Sequence, residues 1–245
     1  MVSTIESGMN TYIGHFQLLI NVCEGFGMKY NPQSPALQTM AMRSQLSAVQ
    51  TAVNLVDTLL PDYIAAESAR HEKFAIVPPL ATRVQAAAVV ANLPDAIITR
   101  IKEIVRKIHG ERAKKIKPED VAGVGGEPAK HISVSQTSFN EQIEHFNQLI
   151  DLAASQTTYM PAEIDLSVTS LSMLLNKLRL TNDAVMFAAV PLTTARQERN
   201  TLLYAPKTGM IDTALAVKEY VKAVFGAASP EYKEVNHIKF QNRKI

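Results

Sequence analysis

The sequence predicts an all-α protein made of two tandem repeats of an antiparallel helical bundle joined by a Gly/Pro linker, and three observations predict it. Residues 9–74 and 139–203 carry one pattern: an apolar helix with a His-Phe pair, then Tyr-x-Pro, then a long helix ending in a basic stretch. Apolar residues within each match recur every three or four positions, the spacing that keeps one stripe of a helix on a core. Prolines and glycines punctuate the ends of these segments.

The first helical segment is expected over 3–26 and its counterpart over 136–156. With Phe16 laid on Phe146, Met9 meets Phe139, Ile13 meets Ile143, Ile20 meets Ile150, Cys23 meets Ala153 and His15 meets His145, all at an offset of 130. Tyr30-x-Pro32 and Tyr159-x-Pro161 follow at 129, and their prolines suit a turn or the first turn of a helix. The second segment is expected over 35–59, or 162–189 in the second copy. Its core stripe reads through Leu37, Met40, Ser44, Ala48, Ala52, Leu55 and Leu59. Pro61 and Pro191 stand where that helix should stop, kink or restart, so a third segment is expected over 62–75, or 192–204. Pro78-Pro79 closes it in the first copy, and an Ala/Val-rich helix over 80–92 is extra there.

The last segment spans 95–109, or 210–225. Ile101–Gly110 matches Val217–Gly226 at an offset of 116, and each block ends on a glycine behind a basic turn, a favoured C-terminal stop. The fall in offset from 129 to 116 gives the first copy 13 extra residues, placed within 75–100. The organisation expected is therefore repeat 1 over 1–110, a linker over 111–135, repeat 2 over 136–226 and a tail over 227–245. Pro118, Gly123, Gly125, Gly126 and Pro128 mark the linker. His131–Ser135 and Val235–Phe240 alternate polar and apolar residues, so a minor β ribbon between linker and tail is an additional expectation.

Composition narrows the function classes. The chain of 245 residues is 47% hydrophobic and 20% charged with a net charge of +2, which is globular and gives no global reason for nucleic acid as partner. A single cysteine, Cys23, excludes an internal disulfide and multi-cysteine zinc sites, and it falls on the apolar face of the first segment. Met1–Asn10 lacks the pattern of a signal peptide. The longest uncharged stretch, 7–23, is interrupted by Asn10, His15, Gln17 and Asn21 and is too polar to span a bilayer. A soluble cytoplasmic protein is the default expectation, with export by a route that reads no such signal left open.

The ordered set His145-Phe146, Tyr159-x-Pro161, Ala195–Asn200, Leu203-Tyr204, Lys207–Gly209, Val217–Lys222 and Phe225-Gly226 resembles a group of uncharacterised bacterial two-repeat all-helical proteins. The likeness covers most of the chain and is clearest in the second copy. The first copy departs from it, with no counterpart of Asn200 or Tyr204. The resemblance implies the fold, and the group has no assigned activity, so it supplies no functional residues.

Candidate chemistry is sparse. His15 and His145 repeat, but no Glu-x-x-His or His-x-x-x-His accompanies them, so a half-buried packing histidine outweighs a metal ligand. Arg70 and Arg199 repeat and invite an anion, although tying helices together is the commoner use of such an arginine. The run 106–117 concentrates Arg106, Lys107, Arg112, Lys114, Lys115 and Lys117 against Glu111 alone. It has no interleaved aromatics for stacking on single strands, so a solvated linker or a docking surface for an acidic partner is favoured over nucleic acid. Gly-x-Gly-x-x-Gly, Walker and Gly-x-Ser-x-Gly motifs are absent from the sequence. The function expected is a non-enzymatic structural or protein-interaction module without cofactors, self-assembling through linker and tail, with another copy or another protein as partner. The alternative is a helical bundle that inserts into membranes through 7–23, 84–94 or 184–195.

Overall fold

The computed structural model describes residues 4–111 and 138–241, and within them the protein is all-α with no strand. In chain order the helices are α1 (Thr4–Gly25), α2 (Thr39–Phe74), α3 (Val77–Val90), α4 (Asp95–Ile108), α5 (Phe139–Ala154), α6 (Val168–Tyr204), α7 (Met210–Phe225) and α8 (Pro230–His237). Their ends follow local chemistry. Ser138 and Glu141 form a reciprocal capping box that starts α5, and the Ser229 side chain accepts from the Tyr232 amide to start α8. Gly110 after α4 and Gly226 after α7 take positive φ, 71° and 91°, as expected for residues that end a helix without a Cβ penalty. Pro78 and Pro79 fall in the first turn of α3, where a missing N–H leaves no helical bond unmade.

Pro61 and Pro191 do not end helices. α2 and α6 run through them, so the separate segments expected over 62–75 and 192–204 are continuations of their predecessors. A proline inside a helix removes one backbone hydrogen bond and crowds the preceding turn, at a cost of about 3 kcal/mol. Packing holds the helices together here. Val56, Leu192 and Ala195 form a buried cluster, with Leu59, Leu60 and Tyr63 packed against it.

The chain divides into two compact units, Met1–Tyr63 with Ala189–Ile245, and Ile64–Ala188. The boundaries lie inside α2 and α6, so the units do not follow the expected division at 1–110 and 136–226. In the first unit Phe16, Leu19 and Ile20 of α1 and Met42, Leu46 and Val49 of α2 share a core with Leu203, Met210, Ile211, Val217 and Val221. In the second unit Phe146, Leu149 and Ile150 of α5 and Leu171, Leu175 and Leu178 of α6 share a core with Phe74, Val84, Ile101, Ile104 and Val105. Each fully buried Phe or Leu in these cores contributes about 2–3 kcal/mol.

The buried stripe of α2 is Met42, Leu46, Val49, Ala52 and Val56, whereas Met40, Ser44, Ala48 and Leu55 are exposed. Both series have helical spacing. The buried one is the larger and more apolar, and it matches Leu171, Leu175, Leu178 and Val185 of α6, which are also buried.

The β ribbon is corrected by α8. Ser229 and Pro230 start a helix that takes up the first half of the segment that was to pair, and the chain after it is spent on side chains: Ile238 and Lys239 give their carbonyls to Lys218 and His15. Its proposed partner, 131–135, lies outside the described residues. No helix among the described residues is long and apolar enough to cross a membrane.

Candidate functional site

In the second unit, α3 builds one wall of a groove. α3 presents Ala86, Ala87 and Val90 to a groove of ≈ 590 Å³ whose other wall is Met160, Pro161 and Leu166 from the segment after Tyr159. That segment is held open by two local devices. The Tyr159 hydroxyl donates to the Leu166 carbonyl at 3.0 Å, and a one-turn 3-10 helix, Ile164–Leu166, follows. Burial pushes the Tyr159 hydroxyl up to about 12, so it stays a donor at physiological pH.

The rim is polar. Arg83 of α3 grips Asp165 with both terminal nitrogens, one arm at 3.2 Å, and the Arg83 hydrogen bond holds the Asp165 carboxyl below its ordinary range. Both side chains are about half exposed, so the pair fixes orientation more than it adds stability. Alanines on the helix leave room, Val90 and Met160 stand exposed on its walls, and Arg83 and Glu163 add charges. An apolar floor with a polar rim is the composition of a surface that buries an apolar segment of a partner. Sequence reading did not identify this groove; its one signal was the 13-residue excess within 75–100.

The basic run is only partly described. Arg106 and Lys107 are half-buried in the last turn of α4, while Arg112, Lys114, Lys115 and Lys117 lie outside the described residues. Arg106 Nε is buried without a hydrogen-bond partner, and Lys107 is close enough to His145 to act on its charge.

The two matched histidines have different surroundings. In the first unit, His15 Nδ1 lies 2.8 Å from the Lys239 carbonyl oxygen, and its ring meets Phe240 edge-on. In the second unit, His145 is 7% exposed and neither ring nitrogen has a hydrogen-bond partner. Desolvation and the charge of Lys107 depress its basicity, against a smaller opposing pull from Glu141 and Glu144.

Arg70 ties three helices together within the second unit. Its guanidinium lies 4.1 Å from the Phe139 ring centroid on α5, and Nη1 donates to Asn182 Oδ1 on α6 at 3.4 Å. Lys218 of the first unit, buried in α7, donates to the Ile238 carbonyl and faces the Phe240 ring at 5.4 Å, fastening the tail to its own chain. Cys23 is buried, and burial pushes its thiol up to about 12, the environment of an inert thiol. Among the described residues no three His, Cys, Asp or Glu side chains gather as a metal site. Comparison with protein-family models, with curated proteins and with solved structures finds no match.

Proposed function

We propose that the chain is a non-enzymatic protein-interaction module, built by duplication, whose docking site is the groove between α3 and residues 158–166. The observation that carries this reading is the groove itself: an apolar channel with a polar rim, walled by a helix that only one of the matched segments possesses. A partner here is a short apolar peptide segment, with a polar group at one end to meet Arg83 or Asp165. Neither the resemblance to the bacterial two-repeat group nor the basic run is needed for it.

Duplication is supported by what the matched positions do. Phe16 and Phe146 are both fully buried, as are Leu19 and Leu149, and Tyr30 and Tyr159 each bond the carbonyl seven residues on. On this reading the two copies have exchanged C-terminal halves, because α2 and α6 pass from one unit into the other without reversing. The described part of the tail, to residue 241, packs on its own chain, so self-association through the tail is replaced in this reading by association through a folded surface.

Selection from a displayed peptide library against the full chain tests the groove. Apolar peptides should be enriched, and Ala87→Glu, which puts a charge on the groove wall, should abolish their binding while leaving the helical circular dichroism intact. No enrichment, or binding indifferent to Ala87→Glu, would contradict it.

A further inference from the structure

The outer face of α6 is not that of an ordinary solvated helix. Met173, Leu180 and Phe187 recur every seven residues, on the side opposite buried Leu171, Leu175, Leu178 and Val185, and they are 57%, 69% and 79% exposed. The matched face of α2 serves as an internal control. At the same offset of 129 its residues are Ser44, Thr51 and Thr58, all exposed, with half-exposed Leu55 in the place of Ala184. Thr51 and Thr58 turn their hydroxyls onto the carbonyls of Ser47 and Asn54 at 2.9 and 2.8 Å. The fold therefore accepts small hydroxyl residues on this face, and the three large apolar side chains of α6 answer some other requirement.

We propose that this face of α6 is a homodimer interface, in which a second copy of the chain lays the same stripe against it about a twofold axis at Leu180. Three observations favour a second copy over a different occupant. The stripe is centred on Leu180, with Met173 and Phe187 seven residues to either side, so a twofold axis at Leu180 sets Leu180 on Leu180 and Met173 on Phe187. Its area fits as well. With Ala184 between them, these side chains expose roughly 500 Å², so two copies would bury about 1,000 Å², the size at which specific interfaces begin. The flanks carry one cation and one acid, Lys177 and Asp183, placed three residues either side of Leu180, so the face is neutral and two copies meet without net repulsion. A surface for anionic lipid would instead carry a basic flank. The inference rests on reading the chain as an interaction module, but it uses a surface other than the groove.

Sedimentation velocity on the full chain, joined to disulfide trapping, tests it. The wild type should sediment as a dimer at micromolar concentration. Met173→Ser/Leu180→Thr/Phe187→Thr, which copies the α2 face, should weaken the dimer by about 100-fold or more with unchanged circular dichroism. Leu180→Cys should form a disulfide-linked dimer under mild oxidation while Thr51→Cys does not, and buried Cys23 should stay silent in both. A monomeric wild type, or a triple variant that dimerises as well as the wild type, would overturn the proposal. So would a monomer that uses the stripe to bind phosphatidylcholine/phosphatidylglycerol vesicles. The two surfaces fail separately: Ala87→Glu should leave the dimer intact, and the triple variant should leave peptide binding intact.

Discussion

The hydroxyl of Tyr30 donates to the carbonyl oxygen of Leu37 at 2.7 Å. The bond staples the turn between α1 and α2 at a place where the backbone has no helical partner. Tyr159 and Leu166 repeat it at 3.0 Å ahead of α6, with both tyrosine rings buried. Replacing either hydroxyl should strand a carbonyl with nothing to accept from. Tyr30→Phe and Tyr159→Phe should each cost about 1–2 kcal/mol in urea unfolding, and together they should add, because the bonds share no group. A loss near zero in both would mean that the staple is idle.

Arg70 and Phe139 should be coupled. The guanidinium carbon lies 4.1 Å from the ring centroid, so an Arg70→Lys substitution should weaken the contact although it keeps the charge. A double-mutant cycle of Arg70→Ala with Phe139→Leu should return a coupling of about 1 kcal/mol. No coupling would assign the arginine to Asn182 and Glu67.

His145 should make the protein acid-sensitive. Its folded basicity is depressed below the ordinary 6.5, chiefly by burial and then by Lys107, so below that pH the unfolded chain takes up a proton that the folded chain resists. Stability should therefore be complete above about pH 6.5 and fall as the pH drops beneath it, until the folded imidazole itself protonates. His145→Phe should flatten the fall that begins below about pH 6.5. Asp165 and Glu24, whose carboxyls are held low by Arg83 and Arg43, bear on a separate and more acidic window. An unchanged slope in His145→Phe would place the acid sensitivity elsewhere.

Lys218 should fasten the tail. Lys218→Met keeps the buried stem and removes the donor to the Ile238 carbonyl, so amides of residues 238–241 should exchange about tenfold faster while those of α1 and α7 do not change. Exchange that rises throughout the first unit would mean that Lys218 holds the bundle and not the tail alone.

Much of the fold was legible in the residues. Apolar spacing located the helices, and Gly110 and Gly226 stopped α4 and α7 where a left-handed residue was needed. Three things were hidden, each for a physical reason. Pro61 and Pro191 read as ends because local rules count the lost hydrogen bond and not the cluster of Val56, Leu192 and Ala195 that outweighs it. The stripe through Met40 and Leu55 has the same period as the one through Met42 and Val56, and periodicity alone cannot say which faces a core. The groove joins residues about 70 positions apart, and only the extra residues of α3 hinted at it. The apolar outer face of α6 was hidden likewise, because spacing alone does not tell an exposed stripe from a buried one.

Cutting the chain within 112–137 tests the exchange of halves most directly. Each core draws on both sides of that cut: Phe16 and Met42 with Leu203 and Val217 in one, Phe146 and Leu171 with Phe74 and Ile101 in the other. Fragments 1–111 and 138–245 should each lack a cooperative melt when produced alone, and mixing them should restore the melt of the intact protein. A fragment that melts cooperatively by itself, at a temperature close to that of the whole chain, would show that each copy forms its own bundle and would contradict the exchange.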